Sequence, residues 1–234
     1  MKTTTRTRLN RFQPLKVTLA AALLLSASSV ALAQRGATGP AEHADVEPVN
    51  NLPNPYEIVP NWSTPPAGRT WGSISAINID IDGESVWIGD RCGANSCAGS
   101  DVDPIVKLDS AGNVVTSFGA GLILWPHGMD VDKEGNVWVV DSRIANAREL
   151  EQFPDAAGKG NSVLKFSPSG ELLMTLGTPG ETGNPPNRFT DPNDVVIGPD
   201  GSIYVAETHG AQFQDEPGPD SISRISKFAA DGTF

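Results

Sequence analysis

Cysteine is scarce in this chain, basic residues are outnumbered, and no segment shows the sustained apolar spacing of a helix. Two cysteines are present, and 17 lysines and arginines stand against 28 aspartates and glutamates, a formal charge of −11. Two thiols cannot by themselves complete a tetrahedral zinc site. An acidic chain lacks the basic face that phosphate contact needs, so no nucleic-acid partner is expected. The apolar run from Val17 to Ala27 is too short for a bilayer-spanning helix, so no membrane span is expected either. Missing helical periodicity argues against an α-solenoid.

That short apolar run has its own meaning. Lys2, Arg6, Arg8, Arg11 and Lys16 precede it and Ala31-Leu32-Ala33 comes after it, the pattern of a signal peptide over residues 1–33. Its removal takes five positive charges and no negative ones, moving the formal charge to about −16. The expectation is a secreted or periplasmic protein. In that setting Cys92 and Cys97, inside Cys92-Gly93-Ala94-Asn95-Ser96-Cys97, read as a disulfide closing a tight loop; a redox or zinc role is the weaker alternative. Residues 34–70 are rich in Pro, Gly and Asn and read as a linker or an extended arm.

From residue 71 to 234 one unit recurs three times. An apolar strand ends in a carboxylate: Val86-Trp87-Ile88-Gly89-Asp90, Val137-Trp138-Val139-Val140-Asp141, Ile203-Tyr204-Val205-Ala206-Glu207. After an insert comes a strand with one lysine, at Lys107, Lys165 and Lys227, and then a small polar turn. Asp82-Gly83, Glu134-Gly135-Asn136 and Pro199-Asp200-Gly201 supply hairpin turns ahead of the acidic-ended strands. A period of roughly 50 residues built of strands and Gly/Asp turns is the mark of a β-propeller blade, so the fold class is all-β. Propellers close with typically four to eight blades, and about three are counted here, which reads as a fragment of a longer chain. The stretches 144–160 and 208–221 fall at one repeated position as surface insertions, the second blade's with room for a single helical turn.

Function belongs at the channel. Trp125-Pro126-His127-Gly128-Met129 and Asp191-Pro192-Asn193-Asp194 open the second and third blades, so His127 and Asn193 are expected at the channel mouth. A histidine there can bind metal or move protons, although a lone histidine is more often structural. Asp90, Asp141 and Glu207 sit at equivalent strand ends and read first as turn caps.

These residues resemble the NHL-repeat propellers, and within them the peptidyl-α-hydroxyglycine α-amidating lyases, also called peptidylamidoglycolate lyases. The resemblance covers roughly Gly72 to Phe234. It rests on Asp90-Arg91 with its Gly/Asn-rich loop, on Pro126-His127-Gly128 with Gly135-Asn136-Val137-Trp138-Val139, and on Pro192-Asn193-Asp194-Val195 with Ile203-Tyr204-Val205. It implies six blades in the full protein, a channel zinc with His127 as the first of three histidine ligands, and a structural calcium taking the backbone carbonyl of Met129. It also implies Arg91 as the active-site arginine that binds the substrate. The family's catalytic tyrosine is replaced by His209, which stands as a base, a second metal ligand or an ordinary loop residue, and Gly210 replaces the neighbouring cysteine. The implied reaction cleaves the C–N bond of a hydroxyglycine-type carbinolamide and releases glyoxylate. The alternatives are a non-catalytic propeller that binds peptide, glycan or protein, and, less strongly, a lactonase-like calcium propeller using Asn193 and Asp194.

Overall fold

A computed structural model of the chain describes residues 51–66, 68–209 and 221–234. The expected signal segment, residues 34–50 of the arm and most of the 208–221 insert lie outside the described residues. Residues Tyr56–Phe234 form one unit.

Its strands fall into three antiparallel sheets. The first is β1 (Ile74–Ile79), β2 (Val86–Asp90), β3 (Ile105–Leu108) and β4 (Val114–Phe118), in that order. The second is β5 (Pro126–Val131), β6 (Val137–Asp141), β7 (Ser162–Phe166) and β8 (Leu172–Leu176). The third is β9 (Pro192–Ile197), β10 (Ile203–Glu207) and β11 (Arg224–Phe228). Each is a meander whose neighbours in sequence are neighbours in space, and the first strands of the three sheets lie side by side. This is the β-propeller expected from the repeats.

The stacking explains the continuous apolar runs. Along β6, Val137 and Val139 pack into the layer shared with the first sheet, beside Trp87, Phe118 and Phe166. Trp138 and Val140, pointing the opposite way, enter the layer shared with the third sheet, beside Phe189, Val205 and Phe228. A strand covered on both faces loses the apolar-polar alternation of a half-exposed one. Each fully buried Val, Phe or Trp in these layers contributes roughly 1.5–3 kcal/mol over its exposed state.

The repeated lysine has a plain structural account. At the hairpin end of the second blade, Asp132 accepts from Trp138 Nε1 at 3.1 Å and pairs with Lys165 at 3.2 Å, while the ammonium lies over the indole. Asp80, Trp87 and Lys107 repeat this in the first blade, at 2.6 and 2.9 Å. Gly198 and Tyr204 replace the aspartate and tryptophan in the third, where Lys227 keeps its place over the ring.

One difference from expectation lies in the insert over residues 144–160. It holds a full short helix, α1 (Ala147–Gln152), and then a 3-10 turn at Pro154–Ala156. The reason is a capping box: the Asn146 side chain accepts from the Glu149 N–H at 3.0 Å and the Glu149 carboxylate accepts from the Asn146 N–H at 2.9 Å. Glu149 also takes both Nη atoms of Arg143, at 2.7 and 2.8 Å. These bonds fix a helix too short to persist on propensity alone.

Candidate functional site

The strand-end carboxylates are structural. Each is fully buried and tied to the chain two residues before its own blade begins. Asp90 accepts from Gly72 N at 2.6 Å, Asp141 from Leu124 N and Trp125 N at 3.0 and 2.6 Å, and Glu207 from Thr190 N at 2.8 Å. Further donors complete them: Arg69 for Asp90, Gly160 N for Asp141, Arg224 and Ser226 for Glu207. Burial pushes Asp141 up to about 6 against the downward pull of its three backbone N–H donors.

Around these latches, at the same end of the blades, the chemistry-bearing side chains converge. His127 is the second residue of the innermost strand β5 and its Nδ1 lies 2.7 Å from the carbonyl oxygen of Asn193 on β9. A carbonyl only accepts, so Nδ1 carries the proton and the neutral ring keeps its lone pair on Nε2. Gly128 makes this approach possible: a Cβ there would stand 2.3 Å from the Asp194 carboxylate and 2.6 Å from its Cα. Asn193 serves both histidines, because its side-chain oxygen also accepts from the N–H and hydroxyl of Thr208, each at 3.2 Å, just before His209. The rings of His127 and His209 lie edge to face with centroids 4.7 Å apart.

Trp125 joins the histidines to Arg91. Its ring centroid is 5.4 Å from each imidazole, and the Arg91 guanidinium stacks 3.5 Å from its face. Arg91 Nε donates to the Pro126 carbonyl at 3.2 Å and Nη1 to the Asn95 side chain at 2.6 Å. The Asn95 carbonyl accepts from the Trp125 indole at 2.7 Å. The loop carrying Asn95 is closed by the Cys92–Cys97 disulfide, with Cα atoms 5.1 Å apart, and bonded on either side through Ser73 N to Ala94 O and Cys97 N to Leu124 O, both 2.8 Å.

Ionisation here departs from ordinary values. Burial, then the neighbouring Arg143, lowers Arg91 to about 10. Burial also lowers both histidines, with His209 and Arg91 adding to the effect on His127, so each imidazole is neutral at pH 7. Burial raises Asp191, opposed by His209 and Arg143. Asp191 adopts a left-handed backbone, φ 45°, and with Arg143, Ile144, Ala145, Asn146 and His209 it lines a cleft of about 350 Å³ beside the imidazoles. Asp191 and His209, both shifted, line this cleft, and shifted groups in a cleft mark a candidate functional site.

Arg91, His127 and His209 are thus brought together, whereas Met129 is placed further along β5. Its carbonyl accepts from the Asn78 amide at 3.3 Å, beside the Asp130 carboxylate, which bridges to Asn78 and to Ile197 N. Among the described residues no group of three or more His, Cys, Asp and Glu side chains is gathered closely enough to hold a metal ion. His127 fits a ligand's role, since its Nδ1–H bond to a carbonyl is the outer-shell support that metal-binding histidines use. The sequence alone does not single out Trp125, Asn95, Arg143 and Asp191. Only the blade-opening steps Trp125-Pro126-His127 and Asp191-Pro192-Asn193 point to two of the four, and nothing in the sequence marks Asn95 or Arg143.

No family model matches the chain. A Caenorhabditis elegans protein named as a probable peptidyl-α-hydroxyglycine α-amidating lyase is 28% identical over 121 residues, which is 52% of this chain and 27% of that protein. Peptidyl-α-hydroxyglycine α-amidating lyase 2 of Drosophila melanogaster is 23% identical over 205 residues, 79% of this chain and 42% of that one. Mouse NHL repeat-containing protein 3 is 30% identical over 90 residues, 36% of this chain and 22% of that protein. The matches therefore span well under two thirds of these relatives' own lengths. By fold and by sequence the chain resembles the NHL-repeat β-propellers and, among them, the peptidyl-α-hydroxyglycine α-amidating lyases.

Proposed function

We propose that this protein is an exported, metal-dependent lyase that cleaves the C–N bond of an N-acyl-α-hydroxyglycine, giving a primary amide and glyoxylate. The observation that carries the reading is the meeting of Arg91, His127 and His209 around Trp125, from positions 118 residues apart in the chain. Arg91 binds the substrate carboxylate through Nη2 and the remaining Nη1 proton, because Nε and one Nη1 proton are already committed. Burial and Arg143 both disfavour its charge, and an arriving carboxylate relieves both.

His127 Nε2 would hold zinc, with His209 either as a further ligand or as the base. A bound zinc supplies Lewis acidity that lowers the pKa of the substrate hydroxyl. Neutral His209, beside His127, is suited to accept the hydroxyl proton. As the C–O bond becomes a carbonyl, the electron pair of the C–N bond leaves with nitrogen, which takes a proton to become the amide. Calcium at the Met129 carbonyl belongs to the same reading as a structural ion. The Cys92–Cys97 bridge agrees with export to an oxidising compartment.

The test is elemental mass spectrometry together with glyoxylate release from N-acetyl-α-hydroxyglycine, on the purified protein and on His127→Ala. About one zinc per chain and glyoxylate release, both lost in the variant, supports the reading. Neither metal nor glyoxylate in the wild-type protein overturns it and leaves a propeller that binds without catalysis.

A further inference from the structure

Most of the buried and half-buried arginines among the described residues are held by carboxylates. Arg69 is paired with Asp90, Arg143 with Glu149, Arg188 with Glu181 and Arg224 with Glu207, each within 2.7 Å. Arg91 forms no ion pair among the described residues, although it is 7% exposed and shifted downward in pKa. Its fixed contacts are all neutral: the Asn95 side-chain oxygen, the Pro126 carbonyl and the face of Trp125. A buried cation is ordinarily paired with a carboxylate, so leaving this one uncompensated calls for an explanation.

Asn95 supplies it. Its side chain fixes Arg91 at 2.6 Å and its backbone carbonyl fixes Trp125 at 2.7 Å, so one residue sets both partners of the stack. Its own position is set by the disulfide at Cys92 and Cys97 and by the loop bonds through Ala94 and Cys97. An amide oxygen can orient a guanidinium as a carboxylate does, but it brings no charge to cancel the cation. We infer that Asn95 is a positioning residue: its neutral amide holds Arg91 against Trp125 in a fixed direction while leaving the full positive charge for a carboxylate-bearing ligand. The inference deepens the proposed function and rests on its assignment of Arg91 as the carboxylate receptor.

The experiment compares wild type, Asn95→Asp and Asn95→Ala by calorimetric titration with N-acetylglycine, an unreactive carboxylate, and by steady-state glyoxylate release from N-acetyl-α-hydroxyglycine. Asn95→Asp keeps an acceptor for Arg91 and neutralises it, so N-acetylglycine affinity falls roughly tenfold while the melting temperature holds. Asn95→Ala releases Arg91 from its direction and loses a similar factor. In both variants KM rises more than kcat falls, a split that a residue serving loop shape alone would not produce. N-acetylglycine binding by Asn95→Asp at wild-type affinity overturns the inference, and so does absence of binding to the wild-type protein. Should Asn95→Asp not fold, undiminished affinity in Asn95→Ala overturns it equally. Binding that weakens in the variants, with no glyoxylate released by the wild type, leaves the inference standing and removes the lyase reading.

Discussion

The two ends of the blades use similar side chains to opposite effect. At the hairpin end of the first two blades, Asp80 is matched by Lys107 and Trp87, and Asp132 by Lys165 and Trp138. Their hydrogen bonds outweigh the cost of burial, and both carboxyls stay below the usual carboxylate range. At the other end Arg91 and the two histidines are lowered and Asp191 is raised, chiefly by burial, so each holds its charge less readily than in water. A cleft of about 320 Å³ lies at the hairpin end between Trp138, Lys165 and Gly198, but Lys165 and Asp132 in its lining are already paired with each other. Concavity alone therefore does not separate the ends; unmatched ionisation does.

Substitution should separate the two ends most sharply. His127→Ala is expected to take glyoxylate release below detection in a coupled assay while the melting temperature moves little. Asp132→Ala should do the reverse. It strands Lys165 and the Trp138 indole, costing about 3 kcal/mol or more, a fall of several degrees in Tm, with KM for N-acetyl-α-hydroxyglycine unchanged.

Acid should separate the ends further. The folded pKa of each histidine is depressed, so their contribution to stability is complete above about 6.5 and is lost as pH falls from there toward the lowered folded values. A pH–rate profile should hold its activity on the alkaline side of that window and fall on the acid side as the imidazoles charge. The hairpin-end aspartates are depressed carboxylates, so their contribution is present above about 4 and is lost only at lower pH. The smallest effect concerns Glu149, lowered to about 2 first by Arg143. Its support for α1 is present above about 4.5 and fades toward 2, and Glu149→Gln should raise amide exchange in Ala147–Gln152 at pH 7 without moving the global melt.

The blades were legible because they repeat: a strand-end carboxylate and a strand lysine recur at fixed places, and the buried layers need both. His127 was legible through its place after Pro126 at the head of an inner strand. The site as a whole was not, because Asn95, Trp125, Arg143 and Asp191 come from loops of different blades and only blade stacking sets their distances. Helix α1 could have been found, since Asn146 and Glu149 stand at capping-box spacing, but the apolar periodicity that usually announces a helix is absent over six residues.

The buried latches carry a further consequence, for folding. Asp90 reaches Gly72, Asp141 reaches Trp125 and Glu207 reaches Thr190 across 18, 16 and 17 residues. Loops of that length close at modest entropic cost, so each blade can fasten itself before its neighbour exists. A chain emerging from its N-terminal side would then mature blade by blade. A lesion at one latch would loosen one blade first, as in repeat proteins whose cooperativity runs only between nearest neighbours.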